Sequence, residues 1–221
     1  MTRFWTADLH IGDPSVDQSF QSSQSLLDNY NFTVSQKDEV WFVGDVVVGK
    51  FEQNISFMRL FHGTKYLIPG NHDRCHRMHG DWDKWLSYYE EVGFTVLGSE
   101  VITTVADQPV KVCHFPYYEK IHKNDYDRFS GNRPSPSVTE TVGDDLNLNL
   151  NLNLNFNFLI HGHNHGPYRQ RNNMIDVGVN PWGGFPVPEY ALEKLITATP
   201  NHNNVEGVEW KKNASTLRAD Y

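Results

Sequence analysis

Lys65-Tyr66-Leu67-Ile68-Pro69-Gly70-Asn71-His72-Asp73 is the stretch that decides how this chain reads. Residues 65–68 form a short, largely apolar run, Pro69-Gly70 closes it, and an amide, an imidazole and a carboxylate follow at once. A run of this kind ended by turn residues marks a buried strand. The polar trio then lies just past a strand's C-terminal end, where open α/β sheets place their sites.

The same pattern recurs along the chain. The run 2–7 leads into Asp8-Leu9-His10, 39–43 into Gly44-Asp45, 110–113 into His114, and 159–160 into His161-Gly162-His163-Asn164-His165. Further strands are expected at 95–97, 101–105 and 174–177, and helices at 14–30, 55–62, 82–91 and 189–197. Buried strands alternating with helices predict a layered α/β fold. Residues 1–198 are expected to form a single domain, and the polar stretch 199–221 a loosely held tail. Within the domain, 134–158 reads as a low-complexity insertion. Its second half, 146–158, alternates Leu or Phe with Asn and suits an extended edge lengthened by repeat expansion.

Composition bounds the function. The chain has 221 residues, 38% apolar and 21% charged, enough to build a core and too apolar for disorder. No run of 18 apolar residues occurs, so no membrane span is expected. The N-terminus lacks the long apolar stretch of a secretory signal, and Cys75 and Cys113 do not make a disulfide framework, so a cytoplasmic location is expected. The three Asn-x-Ser/Thr triplets, at 31, 54 and 213, are then chance matches. A net charge of −8 argues against stable binding to a nucleic-acid duplex. The count misleads if carboxylates surround bound cations, whose charge reverses the local field. The 11 histidines are the outlier, and most fall in the clusters quoted above.

Carboxylate, amide oxygen and imidazole together suit divalent ions of intermediate softness: Mn, Fe, Zn, Co or Ni. In extended backbone, residues two apart face one way, so Asp8 and His10 can share a site, as can His163 and His165. The donors exceed what one catalytic ion needs and fit two ions about 3.5–4 Å apart bridged by a carboxylate. Asp45 is the natural bridge, since a carboxylate has two oxygens and several lone pairs.

In order and spacing these blocks resemble the calcineurin-like metallophosphoesterases, whose signature runs D-x-H, G-D, G-N-H-D/E, H and G-H-x-H. The resemblance runs from Asp8 to His165 and on to about Ile196. It is greatest to compact bacterial and phage members, with the Ile175-Asp-Val-Gly-Val179 segment and the loop at Trp182. It implies an αββα sandwich of mixed sheets flanked by helices. It also implies one ion on Asp8, His10, Asp45 and His165, and a second on Asp45, Asn71, His114 and His163. His72 would be the catalytic acid or phosphate-contacting histidine, oriented by Asp73, and His161 a structural neighbour. The departure lies after Asp45, where Val46-Val47-Val48-Gly49 replaces the arginine-bearing segment of the protein phosphatases. A diester carries less charge and needs fewer clamps.

The expected chemistry is hydrolysis of small phosphodiesters, with 2′,3′-cyclic nucleotides as candidates, by direct attack of a metal-bridging hydroxide, with Mn²⁺ the leading metal. The enzymatic alternatives are a phosphomonoesterase or a dinucleoside polyphosphate hydrolase; the non-enzymatic one is an interaction scaffold on the same fold. Tyr117, Tyr118, Trp182 and Phe185 are candidates to stack on a base, and Arg74, Arg128 and Arg133 to meet phosphate. Gly44 to Lys50 matches the spacing of a nucleotide-binding loop. Phe51 follows where a hydroxyl is needed, and three valines suit packing better than a phosphate cradle.

Overall fold

A computed structural model of the chain describes residues 1–14, 22–117, 127–135, 137–138, 154–155 and 158–198. Its strands are β1 (Arg3–Thr6), β2 (Glu39–Phe42), β3 (Thr64–Leu67), β4 (Phe94–Val96), β5 (Glu100–Val105), β6 (Gln108–Cys113), β7 (Ser137–Val138), β8 (Leu154–Asn155), β9 (Phe158–His161), β10 (Gln170–Arg171), β11 (Met174–Asp176) and β12 (Val187–Pro188). Its α-helices are α1 (Ser23–Thr33), α2 (Phe51–Ile55), α3 (Leu86–Glu91) and α4 (Glu189–Ala198). They build two mixed five-stranded sheets flanked by helices, ordered β12-β1-β2-β3-β4 and β10-β11-β9-β6-β5. β1 to β4 are parallel, as are β11, β9 and β6; the antiparallel strands sit at the edges.

Alternation along each strand sorts side chains into layers. Trp5, Val43 and Ile68 from the first sheet meet Val110, Val112, Ile160 and Ile175 from the second in one buried cluster, joined by Leu192 and Ile196 of α4. On the other face of the first sheet, Phe4, Val40, Phe42, Leu67 and Phe94 pack against Leu26, Leu27 and Tyr30 of α1 and against Phe51 and Tyr89. Each such side chain, fully buried, contributes about 1.5–3 kcal/mol. The far face of the second sheet carries a small cluster of Cys113, Phe115, Leu159 and Met174. Cys113 is thus a buried apolar residue on the face opposite the site, as strand alternation predicts.

Local signals explain the boundaries. Ser22 caps α1 by accepting from the Ser25 N–H. The β5–β6 hairpin turns on Ala106-Asp107, both left-handed, as two-residue hairpin loops require. The helix expected at 14–30 is described from Ser23, its segment 15–21 lying outside the described residues. The one expected at 55–62 is α2 followed by a 3₁₀ turn, Ser56–Leu60. Of the low-complexity stretch, the described part includes β7 paired antiparallel with β8; most of it, and the tail from 199, lie outside the described residues. No helix among the described residues is long and apolar enough to cross a membrane.

Candidate metal centre

The five loops that follow β1, β2, β3, β6 and β9 are stitched into one rim. The backbone N–H of Asp8 donates to the Gly44 carbonyl and that of His10 to the Asp45 carbonyl, both at 3.0 Å. The buried Asp73 carboxylate accepts from the backbone N–H groups of Asp45 (2.7 Å), Gly70 (2.8 Å) and Val46 (3.1 Å). The His163 N–H donates to both oxygens of Asp8, at 2.9 and 3.0 Å. Two glycines permit the close approach. Gly44 has φ +87, and a Cβ there would collide with the His114 ring and with Gly70; a Cβ at Gly70 would collide with the Asp45 carboxylate.

Within this rim all seven predicted ligands come together. Asp8, His10 and His165 place one donor atom each within 4.8 Å of one another, and so do Asp45, His114 and His163. A third group, His10, Asp45 and His72, links the two. Asp45 Oδ2 lies 3.5 Å from His10 Nε2 and 3.3 Å from His114 Nε2, while its Oδ1 accepts from the His72 N–H at 2.8 Å. Asn71 Oδ1 lies 3.2 Å from His114 Nε2 and 2.9 Å from His163 Nδ1. His72 and His165 are exposed at the mouth; Asp8, His10, Asp45 and His114 are buried.

The backbone achieves this by an unexpected route. Asp8 (φ 59), His10 (φ 45), Asp45 (φ 57), His163 (φ 73) and His165 (φ 47) all adopt the left-handed conformation. For most L-residues this costs about 1–2 kcal/mol, less for Asp. Asp8 and His10, like His163 and His165, therefore converge through left-handed turns. Alternation along an extended strand is not what brings them together. Strain of this kind concentrates at functional sites, where the surroundings hold it in place.

The donor chemistry fits cations. His10 Nε2 is buried and has no hydrogen-bond partner among the described residues, although Asp45 is near. Burial pushes the His10 pKa down to about 4, against the pull of Asp45, which leaves a neutral ring with a free lone pair. His165 is also lowered, chiefly by burial. His114 Nδ1 lies 2.8 Å from the Val43 carbonyl, an acceptor only, so Nδ1 carries the hydrogen and Nε2 is the atom facing Asp45 and Asn71. Burial alone would lower its pKa; Asp45 and Asp8 overcome that and raise it to about 10. Burial raises Asp8 well above the usual carboxylate range, while His114 and His10 outweigh burial and hold Asp45 below it. A carboxylate field that favours a proton on Nε2 equally favours a metal cation among the same groups.

The structure reassigns several side chains. Both Asp73 oxygens are taken by the loops carrying Asp45 and Asn71, so Asp73 orients those loops rather than the His72 ring. Trp182 is buried, donates from Nε1 to the Asp176 carbonyl at 2.7 Å and lies beneath Arg169, so it packs rather than stacks on a base. Tyr117 packs on the second sheet's outer cluster; Tyr118 lies outside the described residues. Arg133 is engaged by Asp127 and the Pro116 carbonyl, closing the loop after His114. His161 is buried at the end of β9, with Nδ1 2.7 Å from the Gly162 carbonyl, in keeping with a structural role. Val46 and Val47 are buried in the core, so the 44–48 backbone does not wrap a phosphate as a nucleotide-binding loop would.

Three supports escaped the sequence reading. Asp176 is a buried carboxyl beside Asp8, its pKa raised to about 7 by burial. It interrupts the otherwise apolar run 174–177, a signal that was present. His79 Nε2 lies 3.1 Å from the Asn71 carbonyl. Phe115 and Phe129 both pack on the His163 ring, with centroids 5.0 Å apart. No local pattern marks these last contacts.

Comparison with known proteins agrees with this geometry. The family model of the calcineurin-like phosphoesterases matches residues 1–167. Among curated proteins the chain is 29% identical over 130 residues to the Gene 66 protein of Mycobacterium phage D29 and 31% identical over 100 residues to that of Mycobacterium phage L5. Those matches take in 53% and 40% of this chain and 65% and 48% of the relatives, so the chain spans less than two thirds of their length. Among solved structures, a protein of unknown function from Aquifex aeolicus superposes with a TM-score of 0.61 at 18% identity, covering 88% of this chain and 98% of that one. The matched span contains all five loops of the rim, and the chain belongs to the calcineurin-like phosphoesterase family.

Proposed function

We propose that this protein is a binuclear, metal-dependent phosphodiesterase acting on small phosphodiesters, with 2′,3′-cyclic nucleotides as the first candidates and Mn²⁺ as the working metal. Its unit is residues 1–198, with 134–158 as an insertion and 199–221 as a tail, and its location is the cytoplasm. The observation that carries the reading is Asp45, whose Oδ2 faces imidazoles from both halves of the rim, His10 and His114. In this reading Asp8, His10, Asp45 and His165 hold one ion, and Asp45, Asn71, His114 and His163 hold the other. When bound, the two cations supply positive charge to the phosphoryl oxygens and make water a stronger acid at neutral pH.

The chain's own groups do the rest. Asp8, Asp45 and His114 are buried and preorganised by backbone contacts, so little rearrangement accompanies charge development. His72 is exposed at the mouth and anchored through its N–H on Asp45, which suits it to contact a phosphoryl oxygen and to pass a ring proton to the departing alkoxide. Purified protein should hydrolyse bis(p-nitrophenyl) phosphate faster than p-nitrophenyl phosphate, with Mn²⁺ stimulating and chelator abolishing turnover. A faster monoester rate, or turnover that survives both chelator and Asp45→Asn, overturns this assignment.

A further inference from the structure

Beside the rim lies a cavity of about 280 Å³ lined by Gly49, Lys50, Phe51, Glu52, Gln53 and Arg74. Its two cations come from different loops that both leave the metal centre. Lys50 is five residues past Asp45, and Arg74 is two past His72, so the Arg74 Cα lies within about 7.6 Å of the His72 Cα. The Arg74 guanidinium carbon sits 4.2 Å from the centre of the Trp85 ring and 4.8 Å from that of Phe51. Its backbone N–H is fixed by the Tyr89 hydroxyl, which also reaches Asp73. Contact with the two rings holds the guanidinium in place, and its N–H donors have no hydrogen-bond partner among the described residues. Neither Arg74 nor Lys50 has a carboxylate ion-pair partner among the described residues.

A planar donor fork held by aromatic faces, with an ammonium facing the same space, matches a phosphate in charge and shape. Glu52 also lines the cavity, so cations outnumber acids there by two to one. The loop that delivers Lys50 is the one whose spacing imitates a nucleotide-binding motif. Val46 and Val47 are buried, Val48 is partly buried, and only the last residues, Gly49 and Lys50, are exposed. We infer that this cavity is a second anion subsite, which takes a non-reacting phosphate group of a substrate whose scissile phosphodiester lies at the metal rim. The inference deepens the proposed function and rests on it for the reaction, but not for the binding.

Two measurements test it. The first is calorimetric titration of inorganic pyrophosphate into the full chain with chelator present, which reads the cavity without turnover. Binding should weaken at least tenfold in Arg74→Gln and by a smaller factor in Lys50→Gln, and stay unchanged in Arg77→Gln, where an exposed arginine rests on Trp82 outside the cavity. Lys50→Gln leaves the Phe51–Arg74–Trp85 stack intact and keeps the test decisive if Arg74→Gln fails to fold. The second compares thymidine 5′-(p-nitrophenyl phosphate) with and without a 3′-phosphate. The wild-type preference in kcat/KM for the phosphorylated diester should fall about tenfold in Arg74→Gln. Pyrophosphate binding equal in wild type and both cavity variants, or lost equally in Arg77→Gln, overturns the subsite. Hydrolysis of neither diester, with binding as expected, overturns the phosphodiesterase reading and leaves the subsite standing.

Discussion

The two sheets contribute to the rim unequally. The first supplies Asp8, His10, Asp45, Asn71 and His72; the second supplies His114, His163 and His165. All predicted oxygen ligands therefore ride on the sheet whose outer face is covered by α1 to α3, and the other sheet offers imidazoles only. The first-sheet loops are bonded to one another through backbone groups and Asp73, whereas the loop bearing His163 is joined to them through side chains, the Asp8 carboxylate and Asn71 Oδ1. The carboxylates sit on the first sheet's side, and imidazoles face them from the other. A pair of cations would thus act as a clasp between sheets as well as a reaction centre.

Breaking the shared carboxylate tests this most severely. Asp45→Asn keeps the shape and removes the charge facing both groups. Its hydrolysis of bis(p-nitrophenyl) phosphate should drop on the order of a thousandfold, about 4 kcal/mol of barrier, and elemental analysis should show fewer than two ions retained. Phe129→Ala frees one wall of His163 on the second-sheet side. Metal affinity should fall about 10- to 100-fold, as is usual when a ligand's support is removed, and the loss should be greater than for Phe57→Ala, a partly buried residue packed against the first-sheet core away from the rim. Chelation should then separate the sheets. Amide hydrogen exchange at His163, whose N–H rests on the Asp8 carboxylate, should accelerate about tenfold more than at Asp8, His10 and Ile11, whose N–H groups keep backbone carbonyl partners. Equal acceleration in both loops would refute the asymmetry.

The smallest effect concerns the rigid side alone. Lys65 is buried on β3, donating to the Met58 and Phe61 carbonyls, and burial pushes its pKa down to about 8. Its unfolded value is near 10.4. The unfolded chain binds the proton more tightly, so charging Lys65 opposes folding below pH 8, and that opposition fades as pH rises from 8 towards 10. Relative to Lys65→Met, wild-type stability measured by urea denaturation should therefore rise over that interval, by about 1 kcal/mol or more. A flat difference would mean that the ammonium is well solvated.

Most of this rim was legible because each donor follows an apolar run. Val40-Trp41-Phe42-Val43 before Gly44-Asp45 and Phe158-Leu159-Ile160 before the His cluster announce both the strand and the place where its side chains become polar. The pairing of sheets was not legible in the residues themselves, since nothing in 2–7 says that β1 lies beside β12. The family resemblance supplied that layer. Roles set by distant contacts were also hidden. Asp73 looked like a partner for its neighbour His72, yet backbone amides of Asp45 and Val46, 28 and 27 residues away in sequence, occupy it. Trp182 looked free in a Gly-rich loop, yet Asp176 claims its indole N–H. Local sequence reports which groups a loop carries. It does not report which long-range acceptor reaches them first.

The left-handed backbone at Asp8, His10, Asp45, His163 and His165 has a consequence for how such a chain can change over generations. Glycine at His10 or His165 would relax the main chain by about 1 kcal/mol and delete a donor in the same step. A lineage selected only for robustness would drift towards a sturdier, inert protein by the shortest mutational path. The present sequence keeps five donor side chains on backbone that glycine would suit better.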